Sequence, residues 1–271
     1  MPLKKVAVHG LPRSGTSWLG EIFNSSEVVA YRYQPLFSYS FKHYLGVDCT
    51  EEQIEAFFNE ILATEDPFIL RTGDRGQGRC PMFTKSIIGA VVYKEVRYHQ
   101  ILPALLKRSK DVKLVLMVRH PIAVINSWLN TPREFRSDLG WGRLDEWRYA
   151  FKKNLNKPEE FNGYERWKEA TQLFLRLKEL YPYRVKLVFY NALIANPLAE
   201  VEKMFRFVGL PLEEQTLKFL EPRCDSVDSD PYSVNKIVNA DNKWKSELEP
   251  EIQEAIRSDL NGTDLEYMLE L

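Results

Sequence analysis

The stretch Val6-Ala-Val-His-Gly10-Leu-Pro-Arg13-Ser-Gly15-Thr16-Ser17-Trp18-Leu19 constrains the fold more than any other part of the chain. Alternating apolar residues run as far as Gly10, the pattern of a strand, and the turn that follows carries Pro12 and Arg13. Gly15-Thr-Ser-Trp then opens an amphipathic helix, expected over Thr16 to Asn24. A helix start presents unpaired N–H groups and about half a positive charge, so a glycine-rich approach to it is a ready anion site.

The spacing Gly10-x4-Gly15 matches the first half of a Walker A loop, but the second half departs from it. Thr16 and Ser17 stand where a nucleotide triphosphatase needs the lysine that reaches its β and γ phosphates. The positive charge lies inside the loop instead, on Arg13, whose fork can grip a tetrahedral anion with two parallel hydrogen bonds. The loop therefore suits an anionic group of a nucleotide, with no provision for a γ-phosphate and its Mg2+.

With 44% hydrophobic and 28% charged residues among 271, the composition is that of an ordinary soluble globule. A formal net charge of -1 argues against general nucleic-acid binding, which needs a basic excess. Cys49, Cys80 and Cys224 are odd in number and far apart, so neither a disulfide framework nor a metal site is expected from them. No apolar run approaches the ~20 residues of a membrane span, and a strand beginning by Val6 leaves no room for a cleavable signal before it. These features point to a cytoplasmic chain without a transmembrane segment.

Further strands are expected over Ile88 to Val96, Val112 to Val118 and Val185 to Tyr190, giving four with the first. Helices are expected over Thr50 to Leu62 behind a capping box, Tyr98 to Arg108, Ile122 to Leu129, Trp141 to Asn156, Tyr164 to Leu180, Pro197 to Val208 and Pro250 to Leu260. Residues 66 to 86 carry Arg71, Arg75 and Arg79 and are too rich in Gly and Pro for a regular element; they read as a loop that could bind a polar acceptor. Strands alternating with helices predict an α/β chain, a central parallel sheet with helices on both faces in three layers. No linker or repeat divides it, so one domain over residues 1–271 is expected.

Sites in such sheets lie beyond the carboxyl ends of the strands, and the first loop, Lys94, Arg119 and Tyr190 all fall there. Arg119 with Ser127, eight residues on along the next helix, could hold a second phosphate. The alternative is that Arg119 pairs with a carboxylate and Ser127 with a backbone carbonyl. Two separated anion pockets would suit an adenosine phosphorylated at both ends of its ribose.

At this point the residues become recognisable. Pro12-Arg-Ser-Gly-Thr-Ser-Trp18 resembles the 5'-phosphosulfate loop of sulfotransferases, and Val118-Arg119-His-Pro-Ile-Ala-Val-Ile-Asn-Ser127 resembles their 3'-phosphate motif. Within that superfamily the chain is most similar to the carbohydrate 6-O-sulfotransferases of galactose and N-acetylhexosamines, through Gly20-Glu-Ile-Phe-Asn24, Tyr33-Gln34-Pro35, Lys94-Glu-Val-Arg97, Asn196-Pro-Leu198 and Phe207-Val-Gly-Leu-Pro211. The resemblance implies a P-loop-like fold and an enzyme that moves the sulfuryl group of 3'-phosphoadenosine 5'-phosphosulfate to an acceptor hydroxyl by in-line displacement, without metal, releasing adenosine 3',5'-bisphosphate. The acceptor it implies is a glycan or glycolipid.

The resemblance further places the 5'-phosphosulfate on Arg13, Ser14, Gly15, Thr16, Ser17 and Trp18, the 3'-phosphate on Arg119 and Ser127, and the adenine near Tyr190. A closing segment, Asn239-Ala-Asp-Asn-Lys243-Trp244-Lys245, would complete the donor site. Arg13 and Lys94 would stabilise charge on the transferred group. At the position of the favoured general base, the glutamate of Glu-Pro, this chain has Gln34-Pro35, and an amide does not accept a proton at neutral pH. Either another group serves, with His43, Asp74, Glu95 and His99 as the candidates, or Gln34 only positions the acceptor, or the chain is a weakened variant. The rival readings are a P-loop kinase or triphosphatase, and a non-catalytic nucleotide- or glycan-binding relative in which Gln34 marks lost chemistry.

Overall fold

Along each strand, apolar side chains alternate between two faces, and helices cover both. A computed structural model of the chain describes residues 2–221 and 241–271. Strands β1 (Lys4–Gly10), β2 (Val29–Tyr33), β3 (Ala90–Glu95), β4 (Lys113–Val118) and β5 (Val185–Phe189) form one parallel sheet in the order β2-β3-β1-β4-β5. Val6, Val8, Val92, Val115 and Met117 pack toward α1 (Thr16–Ser25) and the Pro197–Val208 helix. Ala7, Val91, Tyr93, Leu114 and Leu116 pack toward the Glu51–Ala63, Pro121–Leu129 and Tyr164–Leu180 helices. Covered on both faces, the central strands read as continuous apolar runs, and truncating one such residue to alanine costs about 2–5 kcal/mol.

Local signals account for several helix starts. Thr50 accepts from the Gln53 N–H while the Gln53 side chain accepts from the Thr50 N–H, so the capping box closes in both directions. Gly209, at φ 79°, ends the Pro197–Val208 helix, and Pro197 opens it behind Asn196.

Three expectations need correction. The sheet has five strands, not four, because β2 was hidden in the aromatic run after α1. Arg32 interrupts its apolar pattern, yet its guanidinium is held by the carbonyls of Ile61 and Leu62. The helix expected over Trp141 to Asn156 is two single turns, Arg143–Glu146 and Phe151–Asn154. Ala150 (φ 49°) and Leu155 (φ 50°) break it, and Asn154 instead donates to the carbonyls of Tyr149 and Asn162. Residues 66–86 are not wholly irregular: Asp66 caps a turn at Pro67–Leu70, and a second follows at Thr72–Gly76.

Among the described residues no helix is long and apolar enough to cross a membrane. Of the expected closing segment, Asn239 and Ala240 lie outside the described residues, as does Cys224.

Candidate active site

The loop after β1 is fixed by its own backbone. Ser14 donates both its N–H (3.2 Å) and its hydroxyl (2.7 Å) to the Leu11 carbonyl, so this side chain shapes the turn. Gly15 sits at φ 93°, and a Cβ there would lie 2.5 Å from the Tyr190 ring. Both conditions call for glycine. No side chain caps α1, and Leu19 donates to the Gly15 carbonyl, which leaves the first-turn N–H groups facing the loop. Thr16 is buried, whereas Arg13, Ser17 and Trp18 are partly exposed.

Arg13 reaches across to the Pro121–Leu129 helix, where its Nε donates to Ser127 Oγ at 3.2 Å. Arg119, the first residue past β4, donates to the Arg13 carbonyl and lies 4.6 Å over the Tyr190 ring, itself the first residue past β5. The Trp167 indole holds the Arg119 carbonyl at 3.1 Å. The structure thus brings Arg13, Gly15, Arg119, Ser127 and Tyr190 into one constellation beyond the ends of β1, β4 and β5. Burial raises the Tyr190 phenol, while Arg119 beside it acts in the opposite direction.

The remaining open alternative for Arg119 is realised in part. Its Nε donates to Asp241 Oδ2 at 2.7 Å and a terminal nitrogen donates to Oδ1. Burial would lower the Arg119 guanidinium, and the bond to Asp241, the charge of Asp241 and Tyr190 together raise it. Asp241 lies in the closing segment but carried no role in the sequence reading, because nothing local links it to a residue 122 positions away. Lys243 and Lys245 are exposed, while Trp244 is buried and stacks on His120 at 4.8 Å.

On the other side of β1 the turn after β2 sits over the end of β3. Gln34, at φ 43°, donates its N–H to the Lys94 carbonyl at 2.8 Å and accepts from Arg97 at 3.2 Å. Arg97 stacks 4.0 Å over Phe37 and pairs with Glu160 at 2.9 Å. Lys94 lies 4.5 Å over one ring, Tyr33, and Arg71 lies 4.7 Å over the same ring. Arg71 is held by Glu21 and Asp74, each at 3.0 Å, which ties the 66–86 segment to α1.

The four candidate bases separate. His99 is fully buried against His9, with burial pushing it down to about 3. His43 is bonded to the Tyr98 hydroxyl, and Asp74 is paired with Arg71. Glu95 is fully buried beside the Gln34 turn: one oxygen accepts from the Leu36 N–H at 2.8 Å and the other has no partner. Burial raises this carboxyl to about 8 against the pull of Lys94 and Arg97, and burial lowers Lys94 to about 7.

Residues 3–263 match the protein family described as "Sulfotransferase domain". Among solved structures, a mouse sulfotransferase, SULT7A1, complexed with PAP shares 14% identity, covering 100% of this chain and 90% of that one at a TM-score of 0.55. A sulfotransferase domain from the curacin biosynthetic pathway shares 18% identity, covering 96% and 98% at 0.54. Retinol dehydratase, in a complex with retinol and PAP, shares 14% identity, covering 98% and 83% at 0.53. At these identities the likeness is one of fold. No curated protein matches the chain.

Proposed function

This chain belongs to the sulfotransferase domain family, and from that premise we propose that it transfers the sulfuryl group of 3'-phosphoadenosine 5'-phosphosulfate to a carbohydrate hydroxyl, with residues 1–271 acting as one domain. The observation that carries the proposal is the pairing of an uncapped α1 start behind Gly15 with Arg119, both packed on the Tyr190 ring. The first suits the 5'-phosphosulfate through Arg13 and the N–H groups of Gly15 to Trp18. The second suits the 3'-phosphate through Arg119 and Ser127. Tyr190 lies between them, where an adenosine would pass, and the complexes of the mouse enzyme and retinol dehydratase with PAP agree with that donor. Trp244 would border the donor site with Lys243 and Lys245 at its rim.

In-line transfer needs position and charge stabilisation more than covalent help. Arg13 and Lys94 supply positive charge for the transferred oxygens. Gln34, held by Arg97, orients the acceptor, and Glu95 takes its proton. A carboxyl raised by burial is more basic than an exposed one, which suits a base working near neutral pH. The exposed Phe37 and Phe68 rings, 6.0 Å apart, offer a sugar an apolar face, with Arg97 stacked under Phe37.

The test is incubation with labelled sulfate donor and a panel of sugars, glycolipids, sterols and phenols, followed by mass detection of the gain of one SO3 group on the acceptor. Transfer to sugars supports the full reading. Transfer to phenols or sterols alone would refute the carbohydrate acceptor, and absence of transfer to any hydroxyl would refute catalysis.

A further inference from the structure

The Arg119 guanidinium already holds a planar pair of oxygens. Asp241 takes its Nε and one terminal nitrogen in a two-point fork, and both side chains are mostly buried, at 15% and 12% exposure. That is the same edge a phosphate would use. Arg119 does not need Asp241 for its placement, since its remaining terminal nitrogen donates to the Arg13 carbonyl, its own carbonyl is held by Trp167, and its guanidinium rests on Tyr190. The carboxylate therefore adds competition for the site, not support for it.

We propose that Asp241 is a built-in competitor for the 3'-phosphate: it occupies Arg119 in the free protein and must release the guanidinium before the donor or its nucleotide product can bind. The proposal rests on the reading of Arg119 given above. One guanidinium edge cannot serve both anions, and a carboxylate left beside a phosphate dianion would repel it.

The displaced side chain has somewhere to go. Asp241 borders a cavity of about 580 Å3 that is also lined by Lys245, Arg257 and Trp244. Both cations lie over the Trp244 ring, at 5.6 and 5.3 Å. The Asp241 carbonyl meanwhile accepts from the Trp244 indole at 2.9 Å, and Trp244 is stacked on His120. The backbone is thus anchored, and exchange requires only the carboxylate to turn from one cationic neighbourhood to another.

Calorimetry with adenosine 3',5'-bisphosphate and with adenosine 5'-monophosphate, on the unmodified protein, Asp241→Asn, Asp241→Ala and Arg119→Ala, tests the proposal. Both Asp241 variants should bind the bisphosphate about tenfold tighter, the scale of one charged hydrogen bond no longer broken. Their affinity for the monophosphate should be unchanged, and Arg119→Ala should bind the bisphosphate at least tenfold more weakly. Unchanged or weaker bisphosphate binding in both Asp241 variants, with Arg119→Ala still impaired and thermal melts matching, would overturn the competitor and leave the Arg119 reading intact. Equal tightening for the monophosphate would also overturn it. No loss in Arg119→Ala would remove the underlying reading as well.

Discussion

The two sides of β1 handle charge in opposite ways. Toward β4 and β5, Arg119 meets a carboxylate that comes from far along the chain and touches it at the site's edge. Toward β3 and β2, the cations are tied into tight neighbourhoods: Arg71 on Glu21 and Asp74, Arg97 on Glu160, Arg32 on backbone carbonyls, and Lys94 over the Tyr33 ring. Burial does not separate them, since Arg119 and Asp241 are 15% and 12% exposed and Arg97 and Glu160 11% and 14%. On the proposed reading an incoming phosphate replaces Asp241, whereas no ligand anion replaces the partners of Arg71 and Arg97, and breaking one of those pairs leaves an uncompensated charge at a cost of about 3–5 kcal/mol. On the proposed reading, the first side recognises the anions of the nucleotide and the second positions the acceptor hydroxyl.

The largest expected effect probes the second side. Glu95→Gln keeps an acceptor for the Leu36 N–H, so the turn carrying Gln34 should survive. Turnover should nonetheless fall by about 10²–10⁴, the usual contribution of a general base, with affinity for the bisphosphate unaltered. Gln34→Glu should not restore it, because Arg97, already donating to Gln34, would stabilise the new carboxylate and reduce its basicity. Recovery of turnover in the Gln34→Glu, Glu95→Gln double variant would transfer the base to position 34.

A smaller effect is expected from Gly15→Ala on the donor side. The new methyl group would meet the Tyr190 ring at a positive φ, so loop and ring must both shift. Bisphosphate affinity should fall by about tenfold or more, for 1–3 kcal/mol of strain. An alanine variant with full affinity would separate Tyr190 from the nucleotide site. This loop was legible in the sequence because strand, glycine, arginine and helix start lie within one short stretch, as do Arg119 and Ser127 one helix apart. The β2–β3 side was not, since β2 reads as a strand only when Arg32 finds the carbonyls of Ile61 and Leu62, and Glu95 stands out only once burial leaves one oxygen unpaired. Asp66-Pro67 did carry a helix-start signal that the density of glycines around it obscured. The false helix after Trp141 shows the converse, with hydrogen bonds from the side-chain amides of Asn154 and Asn162 overriding helical composition.

The pH dependence should probe the β2–β3 side through two neighbouring groups of β3. Burial lowers Lys94 to about 7, so in the free protein its ammonium is lost as pH rises through that value, and anion affinity should weaken above it by at most tenfold per unit. Glu95, raised to about 8 by burial, takes a proton only when ionised, so turnover with saturating donor should increase as pH rises through about 8. The two groups interact, and the limbs report the pair. Lys94→Arg should flatten the affinity limb, and titration calorimetry from pH 6 to 9 would check it. Affinity that strengthens with pH would place Lys94 away from the donor.

The smallest effect tests how far the donor side depends on scaffold contacts of the kind that dominate its neighbour. Trp167 is fully buried, and its indole N–H is the contact that holds the Arg119 carbonyl. Trp167→Phe keeps most of the apolar contact and removes that donor, a net loss of about 0.5–1.5 kcal/mol. Bisphosphate affinity should therefore fall by about two- to tenfold, with adenosine 5'-monophosphate affected less because it makes no demand on Arg119. If Trp167→Phe weakened the bisphosphate as much as Arg119→Ala, the guanidinium would be positioned by the core rather than by Tyr190 and the Arg13 carbonyl. The donor side would then be as rigidly built as the β2–β3 side, and the division between exchangeable and fixed charge would not hold.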